Sequence, residues 1–302
     1  MKRIVFFVFF IPLLGLGQDY VDLVTLGYSN TFSASFKETG ENADGQSFFT
    51  DLNFPVVLNE KYALITGVNL NTHQLPLFPD AEITHLYSLM LKLGIATTHS
   101  EKWSSTFVFL PKLASDYKKL SGDDLYFGGF GILKYQQSDN LIYKFGAYGS
   151  TEAFGVFFTP VVGLYYTSTN DLFEMNLSLP ISADVNYNLG KTTLGLDYFG
   201  IGRSFHLDED PTTYVEQNPL EFSSYIQFNA LQNSILLRAK IGYSSYENEV
   251  YAEGDKVDVR ISAFNFGDDR TQLNPDITGG VFFKIEALYR FHIANKKEKF
   301  KN

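Results

Sequence analysis

Along most of the chain, apolar and polar side chains alternate with a period of two, the spacing of strands that turn one face to an apolar environment and the other to a polar one. In the last such stretch Val281, Phe283, Ile285, Ala287, Tyr289 and Phe291 share one face, while Lys284, Glu286, Arg290 and His292 share the other. Ile235, Leu237, Ala239, Ile241 and Tyr243 likewise oppose Arg238, Lys240, Gly242 and Ser244. Ile181, Ala183, Val185 and Tyr187 oppose Ser182, Asp184, Asn186 and Asn188, and Leu194, Leu196 and Tyr198 oppose Gly195, Asp197 and Phe199. The pattern predicts fourteen strands, at about 20–36, 47–58, 62–72, 83–96, 103–112, 124–136, 141–152, 159–168, 172–179, 181–188, 192–203, 220–231, 235–246 and 280–293. The pair around Pro180 also reads as one long bent strand, and with a second merger the count becomes twelve. The one helical signal, Ala114 to Leu120, falls in a loop.

A soluble sandwich alternates too, so the connections have to choose between aqueous and membrane β structure. Very short polar turns (Asn59 to Lys61, Thr98 to Lys102, Ser138 to Asn140, Ser168 to Asp171, Asn188 to Lys191, Gln232 to Ser234) take turns with longer loops near 37–46, 72–82, 113–123, 153–158, 204–219 and 247–279. Such asymmetry is that of an outer-membrane barrel, where backbone polar groups are satisfied only if the sheet closes. Tyr20, Tyr62, Trp103, Tyr135, Tyr165, Tyr187 and Tyr198, near strand ends, suit interfacial girdles. The expected fold is therefore all-β: a closed antiparallel up-and-down transmembrane β-barrel, with short turns in the periplasm and long loops outside.

Composition sharpens the compartment. Aromatics reach 16% and Cys is absent, so disulfide scaffolds, thiolate metal sites and cysteine nucleophiles are excluded. A net charge of -10 argues against nucleic acid as a partner. Lys2 and Arg3, the apolar run Ile4 to Leu14 and the small residues of Gly15-Leu16-Gly17 read as a signal peptide over residues 1–17, with the barrel over 18–293 and a short basic C-terminal tail over 294–302. The expected location is the bacterial outer membrane. Its lipid is the expected surrounding, and the barrel-assembly machinery the partner expected to engage the C-terminal strand.

Several stretches also carry a family resemblance: Phe54-Pro55-Val56-Val57-Leu58-Asn59, Ser121 to Phe130, Leu179-Pro180-Ile181-Ser182-Ala183-Asp184, Asp197 to Ser204 and Phe266 to Pro275. They resemble a family of outer-membrane β-barrels of unknown function from Bacteroidetes-type bacteria. The resemblance spans nearly the whole mature chain and implies fold and compartment. It assigns no catalytic or binding residue.

Candidate chemistry is sparse. Ser204-Phe205-His206 has the Ser/His spacing of lipid-hydrolysing barrels, and if the strand begun at Thr192 continues, both residues share the outward parity of Leu194 and Leu196. The competing reading is a polar strand end entering a loop. His85 shares the parity of Tyr87 and Leu89 and reads as interfacial, while His73, His99 and His292 are isolated. Asp208-Glu209-Asp210 and Asp268-Asp269 could hold Ca²⁺ only if loops converge; otherwise they are solvated acidic loops. The run Gly128-Gly129-Phe130-Gly131 precedes no helix, so it is read as relief of crowding in the wall. No cofactor is expected.

The lumen carries the most information. By parity Glu174, Asp184, Asp197, Arg203, Glu221, Arg238, Lys240, Lys284, Glu286 and Arg290 point inward, with both signs on neighbouring strands. Open, such a lumen selects small, amphipathic solutes, making the protein a channel or transporter. Packed, the charges pair into a network that blocks passage, making it a structural or loop-mediated interaction barrel. A lipid hydrolase at Ser204 and His206 is the third reading.

Overall fold

The computed structural model describes residues 20–209 and 211–292. The signal segment and the basic tail expected from sequence lie outside the described residues. Twenty strands and one short 3₁₀ turn account for the ordered elements. The wall begins with β1 (Tyr20–Phe32) and β2 (Gly45–Asn53), prolonged past Phe54 and Pro55 by β3 (Val56–Val57). It continues through β4 (Tyr62–Leu75), β5 (Thr84–Thr98), β6 (Trp103–Ser115), β7 (Leu125–Ser138), β8 (Leu141–Glu152), β9 (Gly155–Thr167), β10 (Phe173–Leu179), β11 (Ser182–Asn188) and β12 (Thr192–Gly200). Two loop strands, β13 (Arg203–Leu207) and β14 (Thr213–Gln217), precede β15 (Leu220–Ala230) and β16 (Ile235–Ser244). Three more, β17 (Asn248–Ala252), β18 (Val259–Ile261) and β19 (Phe264–Phe266), precede the final β20 (Gly280–His292).

Counting β2 and β3 as one, fourteen strands pair antiparallel with their wall neighbours, and β1 closes the sheet on β20 from Tyr20↔His292 to Phe32↔Val281. β12 pairs directly with β15 and β16 with β20, so the segments between them leave the wall. The region around Pro180 is a turn between two strands, since β10 and β11 pair from Phe173↔Tyr187 to Ser178↔Ser182. The short connections are tight because their polar side chains supply backbone partners: Asn59 Oδ1 accepts from the amides of Lys61 (2.9 Å) and Tyr62 (3.0 Å), and Asn188 Oδ1 from Gly190 (2.7 Å). A Cβ at Gly131 would lie 2.7 Å from the Phe107 ring, so glycine there lets an outward aromatic lie across the strand.

Two expectations are corrected. The helical turn is at Gly122–Asp124, capped by Ser121, whereas Ala114 and Ser115 still belong to β6. Residues 155–158, expected in a loop, begin β9.

The outer face is apolar around the barrel, with Leu196 61%, Phe107 60%, Ile241 58% and Val162 57% exposed. A water-soluble protein does not leave such a belt uncovered, whereas hydrocarbon covers it without cost. Near the turn end Trp103 and Tyr135 meet at 4.7 Å between ring centroids with their planes tilted by 45°, an amphipathic pair suited to a headgroup boundary.

Candidate functional site

The interior has three levels, each set by what its strands turn inward. At the loop end the two longest loops fold back into the barrel mouth. β14 pairs with β13 on one side and with β17 on the other, making a three-stranded sheet inside the mouth. β13 touches the wall through the parallel bridge His206↔Ser115, and β18 pairs in parallel with β9 at Phe157 and Phe158. Phe205, Leu207, Tyr214, Val215, Val250 and Tyr251 of this inner sheet pack against Leu75, Leu86, Ala114, Tyr126 and Phe157 of the wall, which makes the hydrophobic core of the molecule a stopper.

Ions pin the stopper. Fully buried Glu216 accepts from Arg260 Nη2 and, at 2.6 Å, from Arg270 Nη1. Arg270 also donates to Asp268 and lies 4.0 Å from the Tyr251 ring centroid. Its hydrogen bond holds the Asp268 carboxyl down at about 2. On the wall side Glu152 takes both Lys112 Nζ (2.8 Å) and Ser204 Oγ (2.8 Å), and Ser204 Oγ accepts the Ala153 amide (2.7 Å).

That arrangement corrects the reading of Ser204 and His206. β12 ends at Gly200, and after Ile201 and Gly202 the chain turns into the lumen, so both residues belong to β13 and are buried inside, away from lipid. Ser204 is held by Glu152, and His206 Nδ1 lies 3.3 Å from Glu253; the pair anchors the inner hairpin. Arg203, expected on the wall, sits on β13 too and donates to Gln217 Oε1 at 2.9 Å.

Below the stopper, wall charges meet across strands. Lys284 Nζ donates to Glu221 (2.6 Å). Lys240 bonds Asp197 and reaches Glu286 at 3.1 Å, and Arg238 lies 3.6 Å from Glu286 and 3.9 Å from Asp184. Tyr225 ties the belt together, because its hydroxyl donates to Asp184 (3.0 Å) while the Arg238 guanidinium lies 4.2 Å from its ring centroid. Further round the wall are pairs for which the sequence reading named neither partner: Lys92 with Asp51 (2.5 Å) and Lys112 with Glu152. Their signal was present, since Lys92 sits between Leu91 and Leu93 as Lys284 sits between Phe283 and Ile285.

At the turn end the lumen opens into a cavity of about 310 Å³ bordered by Asn176, Asp184, Asn186, Tyr225, Gln227 and Arg238, and by turn residues such as Asp171 and Asn233. Arg290 grips Asp22 through two hydrogen bonds (2.6 and 2.9 Å) and covers the Tyr20 ring, and Glu174 accepts the hydroxyls of Tyr20 (2.8 Å) and Tyr165 (3.0 Å). A cavity of about 50 Å³ bordered by His73, Arg203, Gln217 and Glu221 lies where the inner sheet meets the wall. Among the described residues no group of three or more carboxylates and imidazoles is arranged to hold a metal. Asp268 is paired with Arg270, and Glu209 lies 3.4 Å from Lys118.

A family described as a domain of unknown function (DUF6268) matches residues 27–257. The chain belongs to that family. The match runs from the first wall strand into the final loop, and so includes the inner sheet of this DUF6268 member. No curated protein matches the chain. Similar solved structures include a deltaS2 mutant of the TodX monoaromatic hydrocarbon channel (10% identity, 90% of each chain, TM-score 0.39). The P. putida toluene transporter TodX (9%, 90% of each chain, 0.36) and Pseudomonas aeruginosa OccK2 in complex with glucuronate (10%, 92% of this chain and 100% of that one, 0.30) are also similar. Likeness at this level transfers no property to this chain.

Proposed function

We propose that the protein is an outer-membrane channel that passes small, polar or amphipathic solutes, with the inner sheet of its two longest loops as the gate. The observation that carries the reading is the contrast along one lumen: a water-accessible polar cavity at the turn end and an apolar stopper, built from loops and not from wall strands, at the other. Loops can leave a mouth without breaking the wall ladder, so opening costs the contacts of the stopper and nothing of the barrel. Lipid around the apolar belt and assembly machinery reading β20 belong to the same proposal, as does the absence of catalysis at Ser204.

A second reading, a sealed barrel whose outer loops bind a partner, draws on the buried Arg260, Glu216 and Arg270 cluster. Planar-bilayer recordings separate the two. Wild-type protein should open rarely, and Glu216→Ala, which takes the carboxylate from buried Arg260 and leaves Arg270 with Asp268 alone, should open far more often at the same unit conductance. Silence from both proteins, with barrels folded by heat-modifiable gel mobility, would sink the channel.

A further inference from the structure

On the wall strands, six inward cations have a carboxylate within 4 Å: Lys92, Lys112, Arg238, Lys240, Lys284 and Arg290. Among the described residues, Lys134 and Lys144 have none. They stand directly opposite each other in the register of β7 and β8, on the inward face that alternates with outward Leu133, Tyr143 and Phe145. Opposed residues have Cβ atoms about 5 Å apart, and like charges so placed repel. The positions around them supply no counter-charge: Ser104 faces Lys134 on β6, Gly163 faces Lys144 on β9, and the next inward pairs are Ile132 with Gly146 and Gln136 with Ile142. Lys144 Nζ donates to the neutral Asn176 Oδ1 at 2.5 Å, and the Lys134 side chain makes no hydrogen bond or ion pair with any described residue. Glu174, on β10, forms no ion pair with either lysine and accepts two tyrosine hydroxyls instead.

We propose that Lys134 and Lys144 form a binding site for the carboxylate of a small hydroxy acid inside the lumen. Rising from opposed backbone positions, the two flexible lysine stems can bring their ammonium groups to the two oxygens of one carboxylate, and an anion there replaces repulsion with two charge-assisted hydrogen bonds. Access comes from the turn end, since neither lysine is fully buried and Asn176, the partner of Lys144, borders the 310 Å³ cavity. Gln136 Oε1, two residues along the same face, is a buried acceptor with no partner, which a hydroxyl beside the carboxylate satisfies. The site names a solute class for the proposed channel, on which it rests only for the role of the solute in transport.

Isothermal titration of lactate into the folded barrel in neutral detergent, at low salt to limit screening, tests it without requiring conduction. One lactate should bind per barrel, acetate more weakly, and choline not at all. Lys134→Gln and Lys144→Gln should each weaken lactate at least tenfold, while Lys134→Arg should stay within a few fold of wild type. Without anion, each Gln variant should unfold at or above the wild-type temperature, because it removes one of two opposed charges. No lactate heat, heat indifferent to both Gln variants, or a Gln variant that unfolds well below wild type would overturn the site. Binding without conductance would sink the channel and leave the site, and conductance without binding the reverse.

Discussion

The two ends of this lumen are built on opposite terms. At the loop end Phe205, Tyr214, Val215 and Glu216 show essentially no surface, and buried Ser204 and Glu216 are each held by a charged partner. At the turn end side chains of the same kinds border a cavity, and the Arg290 and Asp22 side chains keep 15% and 27% of their surface. One end is the interior of a small soluble domain and the other is a wet wall. A barrel needs neither to close its ladder, because backbone hydrogen bonds already do that. The stopper therefore adds a separate folding unit inside a scaffold that is complete without it, and its stability can be perturbed alone.

The largest expected effect tests that separation. Phe205→Ala removes a fully buried ring from the stopper and should cost about 3–5 kcal/mol of its stability, whereas Asn186→Ala beside the cavity should stay within about 0.5 kcal/mol. Protease added to intact cells should then cut residues 201–219 and 245–279 much faster in Phe205→Ala, with the barrel still heat-modifiable. Loss of the barrel itself in that variant would mean that stopper and wall fold as one unit.

A smaller contrast uses like chemistry at both ends. Lys112→Ala leaves Glu152, 1% exposed, without its cation beneath the stopper and should cost about 3 kcal/mol. Arg290→Ala leaves Asp22 facing a water-accessible cavity and should cost about 1–2 kcal/mol. Denaturant unfolding in lipid vesicles measures both. Equal losses would erase the distinction between a dry end and a wet one.

The wall was legible in the sequence because its information is local. Alternation of period two marks each strand, and residues such as Asn59 and Asn188 mark the turns by bonding their own backbone. Strand ends at the loop side were less legible: β4 runs to Leu75 and β6 to Ser115, where polar and apolar residues no longer alternate against lipid. The stopper was not legible at all. Its pairings, such as Thr213↔Ala252 and Gln217↔Asn248, join short segments from different loops, and nothing in one sequence announces which segments meet. The same gap misplaced Ser204 and His206, since parity was carried through Gly200, Ile201 and Gly202, where the strand ends. Lys134 and Lys144 differ again. Their alternation with Leu133, Tyr135, Tyr143 and Phe145 was as plain as that of the last strand, but their significance depends on what faces them, and that required the register.

The smallest expected effect is a pH response confined to the loop end. Asp268 accepts from Arg270 Nε (2.9 Å) and Nη2 (3.0 Å) and from Asn265 Nδ2 (2.9 Å), and Arg270 in turn holds Glu216 at the heart of the stopper. The Arg270 hydrogen bond holds the folded carboxyl at about 2, below its ordinary 3.8. A depressed carboxylate contributes stability that is present above its unfolded value and disappears as pH falls through its folded one, here from about 4 to about 2. With 29% of the Asp268 side chain in solvent, screening limits the contribution to about 1 kcal/mol. Pepsin, active across this window, reads it out: cleavage within residues 245–279 should accelerate several-fold in the wild type between pH 4 and pH 2. Asp268→Asn should start nearer the fast rate and lose most of that rise, because Arg270 then has one carboxylate and not two to hold it over Tyr251. The same slope in both proteins would move the acid response to other carboxylates and detach Asp268 from the stopper.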